Sequence, residues 1–169
     1  MAKTHESPYL NDANRLADVI AAIQAMATYK FYKLDFTAWA DRIVGDKGQA
    51  AHWQKVFEQH PEFFRLDSGR QRASLVWRRQ RQKRFDVDTE ASIAKSDYDA
   101  RDDAGKARVS RNPLNTSEIA TLIDAAINLH SRALDHRRES RWWLPIVVAV
   151  VAAASGLVGA VVGALIKGE

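Results

Sequence analysis

The sequence has no cysteine, and it lacks three common catalytic motifs. Without cysteine it can form neither a disulfide nor a thiolate nucleophile, and Cys-based zinc and iron–sulfur sites are excluded. It also has no Gly-rich phosphate loop, no Gly-x-Ser-x-Gly nucleophile elbow and no His-Glu-x-x-His zinc motif. These absences predict a protein that is not an enzyme, has no catalytic residues and holds no cofactor.

Two groups of residues invite comparison with metal sites. The chain has five histidines, which are His5, His52, His60, His130 and His136. They lack the i,i+4 spacing of a helical metal site, so solvent-facing or capping roles are favoured. The acidic stretch 97–103 is similar to a calcium loop in composition alone, because it has no central Gly and contains Arg101. The sequence therefore predicts no metal site.

The N-terminus has no apolar run of the kind that a secretory signal carries. The long apolar run lies near the other end, from Leu144 to Ile166, and contains no charged residue. It is long enough to cross a hydrocarbon core of about 30 Å, so we predict one C-terminal transmembrane helix, a tail anchor. A buried helix of a soluble protein is the less favoured reading.

Basic and aromatic residues before this run predict its orientation. The expected membrane-interface residues are Arg138, Arg141, Trp142 and Trp143. Because arginines precede the run and only Lys167 follows it, the positive-inside rule places the N-terminus in the cytoplasm. Richness in Ala, Arg and Asp suits a GC-rich bacterial genome. The expected location is the bacterial inner membrane, as a single-pass protein in contact with the lipid bilayer.

Before the apolar run, hydrophobic spacing predicts three helices, a short strand and a hairpin. The helices are expected at about Pro8 to Tyr29, Thr37 to Val44 and Lys47 to Gln59. The short strand lies at 31–36, and strands at 63–66 and 73–78 are joined by the turn 67–70.

This order of elements, with the stretches Phe36 to Ile43 and His52 to Glu58 as second and third helices, resembles a winged helix-turn-helix domain over about residues 7–79. The resemblance implies three packed helices with a β-hairpin wing, a module used for DNA in most members and for protein contacts in many others. Fold alone does not decide between them.

The fold class predicted for the whole chain is mainly α: a winged-helix-like domain of three helices plus a β-hairpin, a long juxtamembrane helix and one transmembrane helix. The expected divisions are a winged cytoplasmic domain at 1–84, a charged flexible linker at 85–114, a helical stalk at 115–141 and the anchor at 142–169. Asn115 and Glu118 form a capping-box pattern that starts the stalk. Its apolar stripe either packs back on the winged domain or self-associates.

Charge is segregated along the chain. Arginines and one lysine crowd residues 65–84, whereas aspartates crowd residues 86–103. Arginine forks hold phosphate oxygens well, so a nucleic-acid or anionic-partner site is predicted. Its residues are Lys47, Lys55, Arg70, Arg72, Arg78, Arg79 and Arg81. A solvated edge strand is the plainer reading of the same charges, and the mixed charge of the third helix weakens the DNA interpretation.

Small residues of the apolar run predict self-association. Ala152, Gly156, Gly159 and Gly163 share one helix face and include a Gly-x-x-x-Gly pattern. The function that we predict is a tail-anchored, non-catalytic platform for a cytoplasmic protein partner, itself a homo-oligomer. The alternatives are a membrane-bound DNA-binding regulator and a membrane-disrupting effector.

Overall fold

A computed structural model of the chain describes residues 7–139 and residue 149. The chain divides into two compact units, Met1–His130 and Ser131–Glu169. The described part is mainly helical and carries two small antiparallel sheets. The first unit contains the core and both sheets.

The first predicted helix, expected from about Pro8, begins later in the structure. A 3-10 turn spans Pro8–Leu10, and helix α1 spans Arg15–Thr28. Between them, the Asp12 carboxylate accepts a hydrogen bond of 2.9 Å from the Asn14 backbone N–H. A side chain that bonds to nearby backbone in this way competes with helix formation, so the α-helix starts after it.

Helices α2 and α3 follow the short strand β1, Lys33–Asp35. Helix α2 spans Phe36–Val44; Asp35 caps it by accepting the Ala38 N–H at 2.8 Å, and it ends at Gly45, whose φ is 73°. That left-handed conformation suits glycine, which has no Cβ to clash. A 3-10 turn, Lys47–Gln49, then leads into α3, Ala50–Gln59.

The predicted hairpin is present as β2, Phe64–Leu66, and β3, Arg72–Leu75. Strand β3 is central in the first sheet, whose order is β1-β3-β2 with both pairs antiparallel. The chain then turns into the short helix α4, Val76–Arg79.

The core of the first unit lies between the helices and this sheet. Helix α1 contributes Val19, Ile23 and Met26, and the neighbouring elements contribute large aromatic side chains. The buried aromatic residues are Tyr9, Trp39, Trp53, Phe57, Phe63 and Phe64. The Trp39 indole N–H donates to the Ala73 carbonyl at 2.9 Å, which ties α2 to the central strand.

Residues 85–114, which were predicted to be a flexible linker, are folded. They carry a second antiparallel sheet, of order β5-β4-β6, and two short helices. The elements are β4 Phe85–Asp86, β5 Ala91–Ser92, α5 Lys95–Asp99, α6 Asp103–Ala107 and β6 Val109–Ser110. Val87 and Val109 are buried, and Asp86 accepts a hydrogen bond of 2.6 Å from Arg101. The contact between Asp86 and Arg101 and the two buried valines therefore order a segment that has few large apolar residues.

Helix α7 spans Thr116–Glu139 and starts where the capping box predicts. The Asn115 side chain accepts the Glu118 N–H at 2.9 Å, and the Glu118 carboxylate accepts the Asn115 N–H at 2.9 Å. The capping box is therefore confirmed. In the first unit, Leu122 and Ala126 of this helix are buried.

The structure corrects the predicted transmembrane helix. Across the residues that it describes, no helix is both long and apolar enough to cross a membrane. Helix α7 has the length, at 24 residues, but it carries charged residues along its course. The fold class is wrong in this respect, and so are the tail-anchored, membrane and single-pass assignments that followed from it. Apart from residue 149, the run from Leu144 to Ile166 lies outside the described residues.

Candidate functional site

We name the β2–β3 hairpin the wing. Its tip, residues 67–71, is held in one shape by Asp67. Its carboxylate accepts hydrogen bonds from the backbone N–H groups of Gln71 at 3.0 Å and Arg72 at 3.2 Å. Desolvation raises the pKa of Asp67, but these N–H donors and nearby cations outweigh it, so the pKa is lowered overall. Arg70 takes a φ of 53° in the same turn, and its side chain reaches helix α3.

Arg70 joins the wing to α3 through Glu58. The guanidinium donates to the Glu58 carboxylate at 3.0 Å, and the Gln54 amide donates to the same oxygen at 3.0 Å. The Gln54 and Arg70 hydrogen bonds, in that order, lower the pKa of Glu58. We name the Arg70–Glu58 ion pair the wing clasp. The pair is partly exposed, so it adds little to stability and mainly fixes the position of the wing relative to α3.

A groove lies on each side of the wing clasp. The first, of about 390 Å³, lies between the start of α2, the α3 helix and the wing; it is lined by Asp35, Phe36, Thr37, Ala50, Ala51, Gln54, Arg70 and Gln71. The second, of about 230 Å³, is lined by Phe57, Glu58, Pro61, Phe64, Arg65, Leu66, Asp67 and Arg70. Both grooves combine apolar side chains with charges of both signs. We name this surface the α3–wing face.

The predicted basic site is only partly assembled. Lys47, Lys55, Arg70 and Arg72 are exposed, and of these four Arg70 lines both grooves of the α3–wing face. Arg79 is also exposed, but it lies on α4. The other two predicted residues, Arg78 and Arg81, are engaged inside the fold.

Arg78 is fully buried and contacts backbone carbonyls rather than solvent. Its guanidinium donates to the Met26 carbonyl at 2.9 Å, to the Arg111 carbonyl at 2.9 Å, and to the carbonyls of Tyr29 and Lys30. Burial lowers the pKa of Arg78 to about 10. A side chain that satisfies four carbonyls at once organises the fold and is not available to a partner.

Arg81 forms an ion pair with Glu118 at the start of α7. The backbone N–H of Asn115, followed by Arg81, lowers the pKa of Glu118, which therefore stays ionised at neutral pH. The Arg81 carbonyl also accepts a hydrogen bond from Arg111. This arginine thus connects the segment after the wing to the capping box of α7.

The remaining predicted residues lie near or beyond the end of the described chain. Arg138 is exposed, with Asp135 at 3.8 Å on the same helix. The others lie outside the described residues; they are Arg141, Trp142, Trp143, Ala152, Gly156, Gly159 and Gly163.

Sequence reasoning missed a polar cluster around His60. This residue follows the last turn of α3 and was expected to face solvent or to cap, but it is fully buried. Its Nδ1 lies 2.9 Å from the Glu62 carboxylate, and its ring packs on Tyr9 with 4.5 Å between centroids. The signal that could have indicated it is the His-x-Glu spacing just before the buried pair Phe63 and Phe64. Within residues 7–139, no cluster of three or more potential metal ligands occurs.

Comparisons with protein-family models, with curated proteins and with solved structures gave no match to this chain. Its function is therefore argued from its own residues.

Proposed function

We propose that residues 7–79 form a winged-helix module whose α3–wing face binds a protein partner, without catalysis of its own. The order of α1, β1, α2, α3 and the β2–β3 hairpin supports the winged-helix assignment, as does the central position of β3 in the sheet. The wing clasp is the main observation in favour of a protein partner, because the Glu58 carboxylate neutralises Arg70 at the tip of the wing.

The mixed charge of the α3–wing face favours protein over nucleic acid. Arg65 and Arg70 line its two grooves, but Asp35, Glu58 and Asp67 line them too. A phosphate backbone prefers a continuous positive surface and gains little where carboxylates alternate with cations. Protein interfaces, in contrast, combine apolar contacts with complementary charges of both signs.

Site-specific photocrosslinking tests this proposal. A photoreactive residue replaces Gln54 or Gln71, which line the larger groove, or Asp99, which is exposed on α5 and serves as the control position. We expect a discrete protein adduct from the two groove positions and none from position 99. The groove adduct should disappear when Lys55→Glu and Arg70→Glu are introduced together. An adduct with a second copy of this chain would identify the partner as itself.

DNA binding is the competing outcome. It is measured by fluorescence anisotropy of the full chain with duplex DNA at about 50 mM and 200 mM salt, where phosphate contacts give a steep loss of affinity. Binding that falls with salt and is lost when Lys47, Lys55 and Arg72 are replaced by Ala, with no protein adduct at the groove, would contradict the proposal.

A further inference from the structure

A third groove lies on another part of the first unit. It has a volume of about 310 Å³ and is lined by Ser7, Pro8, Tyr9, Gln59, Glu62 and Leu129. None of these residues lines the two grooves beside the wing clasp. The groove is open along its length, whereas small-molecule pockets enclose most of their ligand. Its shape therefore suits a side chain that a larger partner presents.

Among the described residues that line this groove, Glu62 is the only charged one. One of its carboxylate oxygens, Oε1, lies 2.9 Å from His60 Nδ1 and 3.5 Å from the Tyr9 hydroxyl. Both partners approach the same oxygen, so Oε2 remains for a ligand, and the side chain is 36% exposed. Burial raises the pKa of Glu62, but hydrogen bonds from His60 and Tyr9 outweigh it and lower the pKa overall.

The residues behind Glu62 hold it in place. His60 is fully buried, and because an ionised carboxylate can only accept, His60 Nδ1 is the donor. Burial, then the Glu62 charge, raises the pKa of the Tyr9 hydroxyl, so it also stays a donor at neutral pH. Because His60 and Tyr9 hold the Glu62 carboxylate in one orientation, little conformational entropy of this side chain is lost when a ligand binds it.

The rest of the lining adds an apolar wall. Leu129 is 37% exposed, although it is apolar. No lysine or arginine of residues 7–139 forms an ion pair with Glu62.

We propose that this groove binds an arginine side chain of a partner protein. The guanidinium donates to Glu62 Oε2, and its aliphatic stem packs on Leu129 and Pro8. A guanidinium suits this arrangement better than an ammonium because it is planar and more weakly hydrated, so it can pair with a partly buried carboxylate while it lies against apolar side chains. The proposal is independent of the α3–wing face.

The test is an NMR titration of the full, isotopically labelled chain with two probes. One is N-acetyl-arginine methylamide, and the other is the citrulline analogue, which has the same shape and no charge. We expect the arginine probe to bind with a dissociation constant on the order of 1 mM and to shift the amide signals of Tyr9, Gln59 and Leu129. The citrulline probe should bind about tenfold more weakly or worse, because the charge-assisted contact is lost.

Two variants locate the binding. Glu62→Gln removes the charge but keeps an oxygen that can accept from His60, so the fold should persist while affinity for arginine falls about tenfold. Asp124→Asn removes an exposed charge from α7 and should leave affinity within about twofold.

Three results would overturn the proposal: equal binding of the arginine and citrulline probes, unchanged affinity in Glu62→Gln, or signal changes confined to residues outside the groove. If Glu62→Gln fails to fold, the comparison of the two probes on the native chain decides the question alone.

Discussion

At the scale of single residues, burial decides what each arginine of the basic segment does. Arg78 and Arg79 are adjacent, yet one is fully buried against backbone carbonyls and the other is exposed. A buried charge is tolerated only when its donors are satisfied. Three of the four carbonyls that Arg78 reaches lie at the end of α1 or just after it, where the helix dipole is negative, and the fourth is that of Arg111.

Because Arg78 is buried and Arg79 is exposed, substitution of Arg79 serves as the control for substitution of Arg78. Arg78→Met should lower the free energy of unfolding by about 3 kcal/mol or more, because several buried carbonyls lose their donor. Arg79→Met, one residue away and exposed, should change it by less than about 0.5 kcal/mol. Urea denaturation followed by circular dichroism measures both. Equal effects from the two variants would mean that Arg78 does not organise the fold.

The sequence could not show that Arg78 is buried and Arg79 exposed. Both belong to one run of basic residues, and the predicted basic site included both. Their difference depends on the single turn of helix α4, Val76–Arg79, of which residues 76–78 were predicted as the end of a strand. In a strand, neighbouring side chains alternate between faces without revealing which face is covered. The same limit applies to His60, whose burial depends on the packing of Tyr9 from a distant segment.

At the scale of elements, local signals predicted well wherever a cap or turn residue fixes the backbone. The capping box at Asn115, the stop at Gly45 and the wing turn at Asp67 all lie where the sequence indicates. The second sheet was missed because its strands are two residues long, which is too short for alternation to show. The segment 85–114 is ordered by long-range ion pairs, which no local pattern reveals.

The start of α7 is testable through its cap. Asn115→Ala should cost about 1 kcal/mol of stability, because the Glu118 N–H loses its acceptor. Asn115→Asp should retain the stability, since a carboxylate caps as well and favours the positive end of the helix dipole. Denaturant unfolding of both variants measures the effect. A loss of the same size in Asn115→Asp would point to the amide nitrogen rather than to the cap.

The order of the second sheet is testable through Asp86. Its carboxylate accepts from Arg101 at 2.6 Å and from the Asp88 N–H at 2.9 Å. Asp86→Asn weakens both bonds, so trypsin should cleave at Arg101 and Lys106 several times faster than in the native chain. Asp99→Asn, which removes an exposed charge from α5, should leave the cleavage rate unchanged. Identical digestion of all three proteins would show that Asp86 does not hold this segment.

At the scale of the whole molecule, ion pairs link parts that are distant in sequence. Arg81 pairs with Glu118, Arg101 with Asp86 and Arg108 with Asp88. Some members of the expected basic and acidic blocks are therefore paired within the first unit, although Arg65, Arg72 and Arg79 are exposed. The distribution of charge along the sequence predicted separate basic and acidic regions, but the fold brings residues of opposite charge together. This mixing is why a protein partner is a better proposal than nucleic acid.

The same pairs predict how stability depends on pH. The Arg101 side chain, then the Asp88 N–H, lowers the pKa of Asp86; the Arg108 side chain lowers the pKa of Asp88. In the unfolded chain, aspartate titrates near about 3.9. Between the folded and unfolded pKa values the unfolded state binds more protons, so stability rises with pH there. The stabilisation is present above the unfolded value and is lost as pH falls through the folded one.

We therefore expect the free energy of unfolding to decrease as the pH is lowered from about 5 to about 3, and part of this decrease to depend on two arginines. Replacing Arg101 and Arg108 together by Gln should flatten the decrease, because the pKa values of Asp86 and Asp88 return toward their unfolded values. The control replaces Arg65 and Arg79, which are exposed and have no ion pair among the described residues, and should leave the pH dependence unchanged. Urea unfolding at a series of pH values measures all three curves. Parallel curves for the native chain and the Arg101 and Arg108 double variant would show that these pairs do not link folding to pH.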